Sequence, residues 1–341
     1  MPSKHGTFIS LLAALLTITP LKATLIRAVN LVSLTTRADI IAIGEVTSVE
    51  NRGATTLDLG GGPLQAKHFV AYLRMDQVLK GNIPPGAQIL DFTVPQAPIG
   101  IHGVAPGQYG IFFLSEDQSL LRFTDPMYPS LPAPRKAKLP SATVLDQVTA
   151  LLGQVLQSPE VSDTERVEAL DALGRLETNL ARDTLLQALS NPSENIRLDV
   201  ARTLVARNDI SGLGIVEEAL VHPSKLSTIM ISNLAGSLGG LKDWRAVPAL
   251  KRLLDTNDQR IIKGVVIALR QSGSADALEP LARLLTNSDE QVRYYAVVGM
   301  GEITRQDEWT PAFDEFQKNE AKYLSYWRDW ATSNLPQDTK K

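Results

Sequence analysis

Five helix-start residues recur in the C-terminal half of this chain, at Ser162, Ser193, Ser224, Asp258 and Asp289, with steps of 31, 31, 34 and 31 residues. Ser and Asp suit that position because their side-chain oxygens accept hydrogen bonds from the unpaired N–H groups of a first helical turn. Eleven residues after each cap, Leu173, Leu204, Ala235, Leu269 and Met300 keep the same rhythm, and Leu189, Leu220, Leu254 and Leu285 keep it four residues ahead. Within each unit the apolar spacing is helical. Ile261, Val265, Ala268 and Leu269 fall on one helix face, as do Leu278, Leu281, Leu284 and Leu285 in a preceding helix. Turn clusters such as Asn191-Pro192-Ser193 and Asn287-Ser288-Asp289 separate the two helices. A lone helical hairpin cannot cover its apolar face, so the pattern predicts hairpins stacked into an α-solenoid. The loop Gly239-Gly240-Leu241-Lys242-Asp243 is the expected place for the three extra residues of the 34-residue step.

The start of the second helix carries a further signal, Asn195-Ile196-Arg197-Leu198-Asp199-Val200-Ala201 and Gln291-Val292-Arg293-Tyr294-Tyr295-Ala296-Val297, with an equivalent arginine at Arg166. Thr228 and Ile262 replace that arginine in the middle units. These segments resemble the short HEAT-like repeats of the phycobilisome-lyase type. The resemblance spans roughly residues 160–305 and implies a bracing role for the arginines between neighbouring units. The Trp, Leu-Gly and Tyr signature of tetratricopeptide repeats and the Thr-Pro-Leu-His of ankyrin repeats are missing from the sequence.

Both ends of the ladder read as caps. Residues 144–156 are amphipathic but off the register, as a leading helix would be, and Trp309, Phe313, Phe316, Tyr323, Tyr326, Trp327 and Trp330 crowd the other end. An aromatic stripe there closes the open face of the last repeat.

The N-terminal half follows another period. Ile40-Ile41-Ala42-Ile43 is rich in β-branched residues, and Phe69, Ala71, Leu73 and Met75 alternate with mostly polar neighbours. Further strands are expected at 89–94, 109–114 and 120–123, with turns at Gly60-Gly61-Gly62-Pro63 and Pro106-Gly107. The fold class is therefore a multidomain chain: a small N-terminal β-barrel or sandwich, residues 24–125, then an α-helical HEAT-like solenoid, residues 144–335. Arg37–Val46, Val78–Gly81 and Pro106–Leu114 resemble exported β-domains of the netrin and metalloproteinase-inhibitor barrel, an OB-type fold. Those inhibitors bind metal through an N-terminal cysteine, and this chain has none. Pro126, Pro129, Pro132, Pro134 and Pro140 make residues 126–143 the expected extended linker.

Residues 1–23 resemble a signal peptide: Lys4 and His5, an apolar run from Phe8 to Ile18, then Pro20-Leu21-Lys22-Ala23. The expected location is periplasmic or extracellular, with no stable membrane insertion after cleavage. A total of 34 Lys and Arg against 37 Asp and Glu gives a net charge of −3, too balanced to point to nucleic acid. Absence of cysteine removes disulfides, thiolate nucleophiles and Cys-type metal sites. The histidines His5, His68, His102 and His222 are scattered, and no Gly-x-Ser-x-Gly or P-loop pattern occurs. No catalytic residue, metal ligand or cofactor is expected. The sequence points to a non-enzymatic scaffold that binds a protein or peptide on the concave solenoid face, with Arg260, Lys263, Arg270 and Tyr294 as contact positions. Lyase-like or accessory activity at the interdomain cleft, and glycan binding by the β-domain, are the alternatives.

Overall fold

The computed structural model describes residues 30–83, 87–117 and 120–336, so the signal-like segment 1–23 lies outside the described residues. Helix α1 (Leu31–Arg37) precedes six strands: β1 (Ile40–Asp58), β2 (Pro63–Lys80), β3 (Ala87–Pro95), β4 (Tyr109–Asp117), β5 (Leu120–Phe123) and β6 (Leu131–Pro132). Their order is β1-β2-β3-β5-β4-β6. Strand β1 also pairs with β4 along Ile40 to Glu45, and β3 meets β5 at Leu90 and Leu121, so the pairings return to β1. The β1–β2 hairpin is far longer than its apolar core requires, and from Arg52 outward it is mostly exposed, turning at Gly60 and Gly62 with positive φ.

The uninterrupted apolar runs in β1 and β4 have a structural cause. Ile40, Ala42, Phe112 and Leu114 face a core within the sheet, with Val46, Leu73, Leu90 and Phe92. The alternate residues Ile41, Ile43, Ile111 and Phe113 face the other way, into a core shared with α1 and the first helices of the solenoid. A strand buried on both faces loses the polar alternation of a half-exposed one. The sheet and the solenoid are thus joined through one continuous core.

The stretch expected as a linker takes part in that junction. Leu131 and Pro132 form β6 against Gly110 and Ile111 of β4, and residues 131–134 are all buried. Proline is tolerated there because β6 lies at the edge of the sheet, with no strand on its far side. Only the stretch from Arg135 onward stands largely in solvent.

The solenoid follows as α2 (Val144–Gln157), α3 (Asp163–Gly174), α4 (Asn179–Ala188), α5 (Glu194–Ala206), α6 (Leu213–Val221), α7 (Thr228–Leu238), α8 (Val247–Leu253), α9 (Gln259–Gln271), α10 (Leu278–Leu284), α11 (Glu290–Thr304) and α12 (Phe313–Asn334). The first and second helices of each hairpin alternate, with α3, α5, α7, α9 and α11 as second helices. Ser162, Asp258 and Asp289 cap them as expected, each accepting from backbone N–H groups; Ser162 forms a full capping box with Glu165.

One cap moves. Ser227, not Ser224, starts α7 and accepts from Met230 N, while Pro223–Lys225 forms a short 3-10 turn. From the second-helix cap to the next unit's first cap is 16 residues in three successive units: Ser193 to Asp209, Ser227 to Asp243, Asp258 to Ser274. From the first cap to the second it is 15 in two of these units and 18 only from Asp209 to Ser227. The extra three residues therefore lie in the hairpin turn of the third unit, and the loop 239–243 has ordinary length. Two serines compete for the cap, and Pro223 draws Ser224 into the turn.

Candidate docking face of the solenoid

Adjacent second helices are held close by glycine. A Cβ at Gly264 of α9 would sit 2.0 Å from the Ala235 carbonyl oxygen of α7, so only glycine allows this approach. A buried amide adds a specific link lower in the stack: Asn191, 5% exposed, donates 2.7 Å to Leu156 O of the preceding unit. Arg207 reaches Leu176 O at 2.6 Å in the same manner.

The recurrent arginines work mainly within their own units. Arg197 donates to Asn191 O and Pro192 O, Arg293 to Asn287 O and Ser288 O, and Arg166 to Ser158 O. Each closes the turn before its own helix, satisfying carbonyls that the first helix leaves unpaired. Arg293 alone of the three also reaches onward, to Glu320 of α12 at 2.5 Å.

Of the four contact positions read from the sequence, Arg270 and Tyr294 come near one another, while Arg260 and Lys263 turn to partners of their own. Arg260 folds back on its own cap, with Nε 3.0 Å and Nη2 2.5 Å from the Asp258 carboxylate. That bond holds the Asp258 carboxyl below its usual range. Lys263 crosses from α9 to the cap of α11, with Nζ 2.8 Å from Asp289, and lowers that carboxyl's pKa likewise. Arg270 grips Glu302 of α11 through two bonds, 2.7 and 2.6 Å, with its guanidinium 5.9 Å from the Tyr295 ring. Tyr294 lies in the aromatic seam under α12, its ring centroid 5.0 Å from Phe313 and 5.5 Å from Phe316. All four are engaged within the chain. Three make ion pairs, and paired exposed charges contribute about 0–1 kcal/mol each to stability.

The α12 seam is a dense aromatic cap. Trp327 and Phe316 are fully buried, and Trp309 stacks on Tyr326 at 3.6 Å with parallel rings. Tyr323 donates 2.6 Å to Glu315, and that bond together with burial pushes its phenol up to about 12.

An open surface lies on α7. Ile229 is 74% exposed, and Ser232, Asn233 and Gly236 follow on the same helix face, all exposed. Space above Gly236 is open: a Cβ there would meet nothing within 4 Å. Sequence reasoning passed over Ile229 because the cap was set at Ser224; starting the helix at Ser227 puts Ile229 at its second residue, ahead of the buried set Ile231, Leu234, Ala235 and Leu238. A second concavity of about 480 Å³ is lined by α3 on one side and the β unit on the other. Among the described residues, no group of three or more His, Asp or Glu could hold a metal ion, and no helix is long and apolar enough to cross a membrane.

Residues 224–301 match the family model described as HEAT repeats. No curated protein matches the chain. Among solved structures, the complex of CpcE and CpcF of phycocyanin lyase from Nostoc sp. PCC7120 is similar at 24% identity, covering 53% of this chain and 72% of that one, with a TM-score of 0.38. An engineered protein is similar at 22% identity over 47% of this chain and 81% of its own, TM-score 0.33. Human deoxyhypusine hydroxylase in complex with glycerol is similar at 14% identity over 55% and 96%, TM-score 0.27. At these scores the likenesses carry nothing about function.

Proposed function

We propose that this HEAT-like repeat protein, with its N-terminal β unit, is an exported, non-enzymatic scaffold that binds a protein partner across the second-helix face of its solenoid. The observation that carries the reading is the open stripe of α7. Ile229 is the most exposed large apolar side chain among the described residues, and it stands beside uncharged, small residues rather than in an ion-pair network. On α9 the neighbouring charges Lys263 and Arg270 are already satisfied by Asp289 and Glu302, which leaves a partner little electrostatic competition at the centre of the face. Exposed Gly236 lets a partner backbone approach closely. The closed circuit of strand pairings supports the barrel reading of the β unit, whose role here is to anchor the first repeat.

Affinity capture from envelope extract with wild-type and Ile229→Asp chains tests the scaffold. A partner retained by wild type and lost by the variant supports it; equal capture by both removes the α7 face from the account. Export is tested separately by N-terminal sequencing of the mature chain, which should begin at Thr24. A chain that stays in the cytoplasm with its N-terminus intact refutes export without touching the scaffold reading.

A further inference from the structure

The cleft of about 480 Å³ between α3 and the β unit is tied at its base, where α3 and Leu131 meet in the shared core. Leu170 and Leu173 of α3 belong to the same buried cluster as Leu131, Ile111 and Phe113. Its β wall consists of the loop around Gly100, His102 and Gly103 and the segment from Met127 to Leu131. Gly100 takes a positive φ of 80°, and a Cβ at Gly103 would lie 2.7 Å from the Phe92 ring, so the loop hugs the sheet and leaves the cleft open. The helical wall presents Val167, Glu168 and Asp171.

The chemistry of the two walls is unequal. Val167 is 51% exposed, although its neighbours Ala169 and Leu170 are buried. It offers an aliphatic surface to the cleft together with Met127 and Pro129. Asp171 is held by Arg175 of its own helix at 3.1 and 2.9 Å. Glu168 has no cation: among the described residues it makes no hydrogen bond or ion pair, and no Lys or Arg lines the cleft. Among the described residues that line the cleft, the titratable groups across from it are His102 and Tyr128. Although Glu168 is exposed as a residue, the protein around its carboxyl and the nearby Glu165 charge raise its pKa. Solvent and a few neighbours stabilise that carboxylate less well than a fixed cation would.

We propose that this cleft docks an extended peptide segment, placing an Arg or Lys side chain on Glu168 and an adjacent aliphatic side chain over Val167 and Met127. A guanidinium matches a carboxylate with two parallel bonds, and the volume falls within the roughly 300–1,000 Å³ of sites that hold small ligands or side chains. The site is separate from the α7 face, so its failure leaves the scaffold reading standing.

The test uses the full chain and two fluorescein-labelled pentapeptides, Ala-Leu-Arg-Leu-Ala and Ala-Leu-Glu-Leu-Ala, with binding read by fluorescence anisotropy at low salt. The Arg peptide should bind saturably and at least about tenfold more tightly than the Glu peptide, given the strength of a charge-assisted pair. Glu168→Gln should weaken the Arg peptide about tenfold. Val167→Lys, at an exposed position, should abolish binding by placing a cation in the cleft, and Glu218→Gln, outside it, should change nothing. In NMR spectra the amide signals of Gly100 and Gly103 should move on adding the Arg peptide. Equal affinity for the two peptides, unchanged binding by Glu168→Gln, or unmoved Gly100 and Gly103 signals would overturn the proposal.

Discussion

Phe113→Ala is the substitution that most sharply separates one joined body from two tethered units. Phe113 sits on β4 with no exposed surface, and its ring faces the core that includes Val148, Leu151 and Leu152 of α2 and Leu170 and Leu173 of α3. Phe112, its neighbour, is equally buried but faces the core inside the sheet, with Val46, Leu73 and Leu90. Deleting a buried phenyl ring costs about 3–5 kcal/mol. Where amide exchange follows local opening, that cost equals an acceleration of roughly two to three and a half orders of magnitude. Hydrogen exchange read by mass spectrometry should therefore show α2 and α3 losing protection in Phe113→Ala. In Phe112→Ala the loss should concentrate in β1, β2, β3 and β4. If α2 and α3 exchange alike in the two variants, the shared core is not what joins sheet and solenoid.

Two further outcomes follow from single contacts. Gly264→Val should destabilise the stack by more than the roughly 1–3 kcal/mol usual for overpacking, because the nearest obstacle is backbone at 2.0 Å, and urea unfolding followed by tryptophan fluorescence will show it. Tyr323, with its phenol raised to about 12 by the Glu315 hydrogen bond and by burial, should ionise well above the ordinary tyrosine value of about 10 in an ultraviolet titration, and Glu315→Gln should bring it down. Because the folded value is the higher one, its contribution to stability is complete below the unfolded value of about 10 and is lost as pH rises towards about 12.

What could be read in the sequence was whatever recurs locally. Ser162, Asp258 and Asp289 announced their helices because capping is a three-residue affair, complete within the sequence window. The α7 cap was misplaced for the same reason: Ser224 and Ser227 both satisfy the local rule, and only the 16-residue step from the second-helix cap to the next unit decides between them. The run Ile40–Ile43 was legible as a strand, but not as one buried on both sides, since the layer that covers Ile41 and Ile43 comes from helices a hundred residues later. Likewise Pro132 looked like linker because its partner Gly110 lies outside any local window. The contact residues were the least legible. Lys263 and Arg270 have the composition of a binding face, yet their partners Asp289 and Glu302 belong to the next repeat and only stacking brings them together.

The scaffold account stands or falls on where a partner touches the solenoid. A photo-crosslinking amino acid placed at Asn233, on the exposed face of α7, tests this directly when compared with the same group at Arg252, exposed on the first-helix side of the next unit. The account predicts a defined crosslinked species from position 233 that disappears when Ile229 is also changed to Asp, and none from position 252. Crosslinking from 252 alone, or from 233 regardless of Ile229, would contradict it.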